Sequence, residues 1–272
     1  MRIAVVGARA IGRQLVEGVA SGAAGDVHVV AIADVPEREA DLRELAERHN
    51  ATAFGDAARV TETRPDVVVE AAGPAVVRGH AAGWLRGGSD VLVMSVGALA
   101  DPDLLAALSA AATGAGRTVL VPSGAIGGLD AVRAALLGGL DRVELRTTKP
   151  PRALAGAPGI ATAGIDLDAI REPTVVFEGS AREAVVGFPA NLNVVAALSL
   201  AGIGPERTRV VLVADPHETR NVHEITASGA FGELRLRFAN LPSPDNPRTS
   251  YLAALSALAL LRRRSAAVQV GS

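Results

Sequence analysis

The 272-residue chain contains no cysteine, which rules out disulfides, thiolate metal sites and a cysteine nucleophile. Aromatic residues are scarce, with one Trp, one Tyr and five Phe. No apolar run approaches the roughly 18 residues of a membrane-spanning helix. The N-terminus enters a short strand-like stretch directly, without the h-region and cleavage site of a signal peptide, and a cytoplasmic protein is expected. Neither sign of charge dominates: the formal net charge is −2, with none of the clustered basic surface that nucleic-acid binding requires. Lysine is nearly absent. All positive side chains but one are arginine, and Lys149 stands alone against that bias, either by chance or because its position needs an ammonium group.

Hydrophobic residues make up 49% of the chain, enough for a sizeable core. In the first 120 or so residues, short apolar runs alternate with helical patterns. The runs are Ile3–Val6, Val27–Ala33, Asp66–Glu70, Asp90–Ser95 and Thr118–Pro122; helices are predicted over 11–20, 37–49, 76–86 and 103–115. Continuous apolar strands spaced by helices predict a parallel sheet covered on both faces, and right-handed crossovers make it doubly wound. After Pro122 the texture changes. Strand-like runs at Val143–Thr148, Thr174–Phe177, Arg209–Ala214, His223–Ala227 and Leu234–Phe238 alternate in polarity, with a helix over 191–201. This predicts a smaller α+β domain with a mixed or antiparallel sheet. The expected boundary between the two halves lies at 121/122, where the texture changes. The last helix, over 250–264, ends in Arg262, Arg263 and Arg264, which complement its dipole.

The sharpest local motif is Gly7-Ala8-Arg9-Ala10-Ile11-Gly12, between a strand and a helix at the extreme N-terminus. Gly7 suits a tight turn and Gly12 close helix–strand packing, with a pyrophosphate over the helix N-terminus. Asp34, 22 residues beyond Gly12, ends the second strand, where a carboxylate binds the adenosine ribose and favours NAD over NADP. Arg9 replaces the fingerprint's middle glycine. It either pairs with a phosphate or obstructs the cofactor. The Ser123–Gly128 loop follows the last strand of this half and is expected to face a nicotinamide, to act as a hinge, or both. Of the five histidines, His28 and His49 read as structural or solvated, and Asn221 and His223 should share one strand face. No metal-ligand spacing is present, and no metal is expected.

Several stretches together resemble the L-aspartate dehydrogenase family over nearly the whole chain. They are Met94–Leu99, Pro122–Asp130, Thr147–Pro151, Phe177–Gly179, Phe188–Val194, Asn221–Ile225 and Asn246–Ser250. The resemblance implies NAD- or NADP-dependent, reversible oxidative deamination of L-aspartate to iminosuccinate, which hydrolyses to oxaloacetate and ammonia. It also implies that the imine can feed NAD biosynthesis. On the matching motifs, His223 is the implied catalytic acid/base, and Ala125 and Asn193 are implied cofactor contacts. The same resemblance implies a dinucleotide-binding domain over 1–121 to which the C-terminal helix, within 246–272, returns, a substrate, catalytic and oligomerisation domain over 122–245, and a homodimer or higher homo-oligomer. Arg9 departs from the family's usual glycine. The chemistry needs a base that titrates near working pH, which suits a histidine. The substrate's two carboxylates need donors, for which Lys149 and the Ser123-Gly124 backbone are candidates, with Thr148 and Asn221 as neutral partners. Two other functions fit the residues less fully: a reductase of a related imine or semialdehyde, or a dinucleotide-binding sensor without turnover.

Overall fold

A computed structural model describes residues 1–188, 193–243 and 246–271; the side chains of 39, 40 and 246–248 lie outside the description. The chain divides into two compact units, one formed by Met1–Pro122 with Ala254–Gly271, the other by Ser123–Ala253.

The first unit begins β1 (Arg2–Val6), α1 (Ala10–Ala20), β2 (His28–Ala33), α2 (Glu39–Arg48), β3 (Thr52–Phe54) and β4 (Val67–Glu70). It continues α3 (Pro74–Arg86), β5 (Asp90–Val93), α4 (Pro102–Ala115) and β6 (Val119–Leu120). The six strands are parallel in the order β3-β2-β1-β4-β5-β6. This is the doubly wound arrangement expected, with the order reversing between β1 and β4. Its central strands carry β-branched residues in succession because both faces are covered: every residue of β4 and β5 is buried. The three-residue edge strand β3 escaped the sequence reading, being too short for any period to show. Helix ends follow local chemistry. Asp101 caps α4, accepting from the Asp103 and Leu104 amides, Pro102 opens the first turn and Gly116 closes the helix in a left-handed conformation.

The second unit contains α5 (Leu129–Leu137), β7 (Leu140–Lys149), α6 (Pro158–Thr162), β8 (Thr174–Ser180), α7 (Ala181–Gly187) and α8 (Asn193–Ala201). After these come β9 (Thr208–Ala214), β10 (Asn221–Gly229), β11 (Gly232–Asn240) and the short pair β12 (Pro242–Ser243) and β13 (Asn246–Ser250). Its five-stranded sheet has the order β11-β10-β7-β9-β8. It is mixed, because β7 and β9 run parallel while the other neighbours are antiparallel. One sheet face and α5, α7 and α8 form a single apolar core around Val143, Leu145, Ile225, Ala227, Val210 and Leu212. The Pro189–Leu192 part of the family-like 188–194 motif lies outside the described residues.

The last helix, α9 (Leu252–Ser265), contributes Ala257, Leu258 and Leu261 to the core of the first unit. Leu258 lies directly against Gly18 of α1, where a Cβ would collide with it, and Arg264 pairs with Asp90 at the start of β5. No helix among the described residues is long and apolar enough to cross a membrane.

Candidate active site

In the first unit, the fingerprint glycines are required by contact. Gly7 follows β1 at φ +96°, and a Cβ there would stand 2.6 Å from the backbone of Ala71 and Ala72 after β4. A Cβ on Gly12 would overlap the Gly7 carbonyl, so α1 closes onto the turn only because that position is bare. Arg9 is the N-cap of α1 at φ −86°, an ordinary conformation, and its side chain is exposed; arginine costs the turn no backbone strain. Among the described residues no side chain caps α1, so the first amides of the helix, from Ala10, Ile11 and Gly12, offer the donors that an anionic group needs. Ala8 is buried and turns its amide inward to Asp34 Oδ2, 2.9 Å away.

Asp34 carries more partners than the sequence suggests. Its Oδ1 accepts from the Val35 amide at 2.8 Å, and its Oδ2 also accepts from Arg38 Nη1 at 3.0 Å. A guanidinium therefore covers the carboxylate assigned to the ribose. Glu70, which the sequence reading did not single out, ends β4 fully buried. Burial pushes its carboxyl pKa up, opposed by hydrogen bonds from the amides of Gly73, Ser95 and Ala72 and from the Ser95 hydroxyl. It ties the turns after β4 and β5 together beside Gly7, which explains Ser95 in the Met94–Leu99 motif.

In the second unit, the inward face of the sheet changes character at one end. Along β7 the inward positions run Val143, Leu145, Thr147, Lys149; along β10 they run Ala227, Ile225, His223, Asn221; along β11, Leu234, Leu236, Phe238, Asn240. The register sets Thr147 and Phe238 on either side of His223, and Asn240 opposite Asn221. Four polar side chains thus gather at the end of an apolar face, with relative exposures of 4% (Thr147), 6% (Lys149), 5% (Asn221) and 2% (His223). Thr147 Oγ1 and His223 Nδ1 are 3.0 Å apart, and Asn221 Nδ2 donates to Ser250 Oγ at 3.4 Å. Burial pushes the Lys149 ammonium pKa down to about 8. Burial first, then the Lys149 charge, push the His223 imidazole down to about 3. The expectation of a histidine titrating near working pH is thereby corrected: in the free protein the ring is neutral throughout the physiological range.

The Ser123–Gly128 loop is fastened to the same end. Asn240 Nδ2 donates to the Ala125 carbonyl at 2.6 Å, and Gly127 lies where a Cβ would be 3.3 Å from the Phe238 ring. Gly124 adopts φ +67° in the turn closed by the Ile126 amide on the Ser123 carbonyl, and both Ser123 and Gly124 are partly exposed. Strand alternation puts the partly exposed Thr148 on the face opposite Lys149, so Thr147 is the threonine among the buried polar side chains. The sequence signal for Thr147 was the period-2 series Val143, Leu145, Thr147, Lys149, in which two polar residues succeed two apolar ones on one face. Asn193 is exposed at the first residue of α8. The remaining histidines are placed elsewhere: His28 pairs with Asp26 at the surface, His49 lies 3.5 Å from Glu17, His80 stacks on Trp84 and exposed His217 lies 4.0 Å from Glu172. No cluster of three metal-ligating side chains occurs among the described residues.

Known proteins match both units. Residues 7–122 match the family model for the NAD-binding domain of homoserine dehydrogenase, and residues 130–264 match that for the aspartate dehydrogenase C-terminal region. The L-aspartate dehydrogenase of Methanosarcina barkeri is 42% identical over 273 residues, covering all of both chains. That of Cupriavidus necator is 42% identical over 275 residues, covering 99% of this chain and all of the relative. The crystal structure of aspartate dehydrogenase from Thermotoga maritima superposes with a TM-score of 0.76 at 27% identity, over 100% of this chain and 99% of that one. The dinucleotide half is shared with another dehydrogenase class, whereas the half that carries His223 and Lys149 is matched by the aspartate dehydrogenase model itself; with full-length identity above 40%, the chain belongs to the L-aspartate dehydrogenase family.

Proposed function

We propose that this protein catalyses the reversible, NAD(P)-dependent oxidative deamination of L-aspartate to iminosuccinate, which water converts to oxaloacetate and ammonia. The observation that carries the reading is the buried polar quartet Thr147, Lys149, Asn221 and His223, ending an otherwise apolar sheet face in the region matched by the aspartate dehydrogenase model.

The first unit fits a dinucleotide. Its turn can close onto α1 and the backbone after β4 only because Gly7 and Gly12 lack Cβ atoms, and α1 offers uncapped amides to a pyrophosphate. Gly7, Ala8, Arg9, Ala10, Ile11, Gly12 and Asp34 would hold the group, and the family motifs add Ala125 and Asn193 as candidate cofactor contacts. When bound, the nicotinamide supplies the two-electron oxidation of the substrate Cα. Arg38 on the Asp34 carboxylate offsets the charge that would repel a 2′-phosphate, and this supports use of both NAD and NADP.

The second unit handles charge and protons. Lys149 pairs with a substrate carboxylate, assisted by Asn221 and the partly exposed amides of Ser123 and Gly124. Such a pairing restores the ammonium's preference for its charged form. It also brings negative charge beside His223, offsetting the Lys149 field and making the imidazole a better proton acceptor. The substrate amine must be neutral before its nitrogen can form the imine, and His223 takes that proton. In the reverse direction the same ring returns it. Purified protein with L-aspartate and NAD or NADP should produce reduced cofactor, and oxaloacetate with ammonia should consume it. Failure in both directions, with dinucleotide binding intact, would overturn the assignment. The reading places the enzyme in the cytoplasm as a homo-oligomer, checked by fractionation and by its mass in solution.

A further inference from the structure

The partner of His223 Nδ1 has no place in the proton transfer just described. Thr147 and His223 are directly opposed residues of the antiparallel β7–β10 pair, and both strands are interior to the five-stranded sheet. The two side chains are buried together at 3.0 Å, Thr147 beside a ladder that fixes its backbone. A β-branched side chain is stiff at χ1, so the hydroxyl is held as firmly as the strand. A hydroxyl can accept from Nδ1–H whether Nε2 is bare or protonated, so a proton can arrive at Nε2 and leave it without either partner turning.

We propose that Thr147 is a positioning residue of the reaction: its hydroxyl accepts from His223 Nδ1–H, fixing the tautomer whose Nε2 lone pair takes the substrate's proton. The inference rests on the proton-transfer role given to His223 above. Which nitrogen of a histidine is available is set by the bond that the other one makes, and many histidine bases are oriented by a carboxylate. Here a neutral hydroxyl fills that place. It orients the ring without adding a negative charge that would hold a proton on it between turnovers. With Lys149 on the same face the surroundings of the imidazole carry positive charge, and the ring is returned to its neutral form after each cycle.

The test compares Thr147→Val, which keeps the branched shape and removes the hydroxyl, with Thr147→Ser, which keeps the hydroxyl. Thr147→Val should lower kcat about tenfold or more, within the roughly 10²–10⁴-fold that positioned acid–base groups contribute, with the KM for aspartate nearly unchanged. Thr147→Ser should restore most of that kcat. Nitrogen-15 NMR of labelled imidazoles, with the His223 signals identified by their loss in His223→Asn, should show Nδ1 protonated and Nε2 bare in the unaltered enzyme. A mixture of tautomers is expected in Thr147→Val. An Nε2-protonated ring in the unaltered enzyme would overturn the proposal even if the valine variant does not fold. So would full kcat in Thr147→Val, or equal damage in the serine and valine variants, which would assign the effect to packing. Should His223→Asn itself retain full activity, the role of His223 fails; if only that variant is impaired and Thr147→Val is normal, the role of Thr147 alone fails.

Discussion

The two units solve the problem of holding a charged molecule in opposite ways. The first works with backbone: glycines that allow close approach and helix amides left uncapped. The second works with side chains, burying an ammonium, an imidazole, an amide and a hydroxyl at the end of an apolar sheet face. Backbone donors carry no net charge and are pre-oriented by the turn, so they suit a cofactor whose pyrophosphate never changes its charge. A reacting amine does change charge, and moving its proton requires groups that can titrate. The proposed function therefore assigns the pyrophosphate to the first unit and proton transfer to the second, and variants can break that assignment.

His223→Ala should give the largest effect, a loss of roughly 10²–10⁴-fold in turnover, with dinucleotide affinity unchanged by fluorescence quenching. A parallel loss of cofactor binding would blur the division. Gly12→Ala should do the reverse. Its methyl group overlaps the Gly7 carbonyl, and roughly 1–3 kcal/mol of overpacking should appear as weaker dinucleotide binding and a lower Tm. Lys149→Met should raise the KM for aspartate about tenfold or more and leave cofactor affinity alone; an unchanged KM would remove the lysine from the substrate site.

The buried titratable groups also set a pH dependence. The His223 pKa falls from 6.5 in the unfolded chain to about 3 in the folded one, so between those values the unfolded state binds the additional proton. Stability contributed by this residue should therefore diminish as pH drops below about 6.5, by up to about 1.4 kcal/mol per pH unit, and His223→Asn should flatten that slope in urea titrations. Lys149 acts in the same direction from about 8 to 10.5, where raising the pH stabilises the fold because the unfolded chain alone is protonated. The smallest effect is expected from Arg38→Ala. Uncovering the Asp34 carboxylate should weaken NADP binding a few-fold relative to NAD, and equal affinities before and after would remove Arg38 from cofactor choice.

The parts legible in the sequence share one property: their partners lie within a few residues along the chain. The strand–helix alternation of the first 120 residues, the Gly7–Gly12 turn and the placing of Asn221 and His223 on one face all follow from local spacing. The Asp34 carboxylate was visible, but Arg38 above it was not, since nothing in a four-residue separation says where a long side chain will fold back. Glu70 passed unnoticed because its four donors come from two turns brought together only by parallel pairing of β4 and β5. Thr148 was named in place of Thr147 although the period-2 series Val143, Leu145, Thr147, Lys149 already set Thr147 on the face of Lys149.

By itself the sequence determined the doubly wound half, the Gly7–Gly12 turn and the shared face of Asn221 and His223, because glycine spacing and hydrophobic period are local patterns. Tertiary structure alone decided the charge state of that histidine. Desolvation depends on everything packed around a group, and the lysine that disfavours its protonation comes from a strand 74 residues away in the chain, at position 149 against 223.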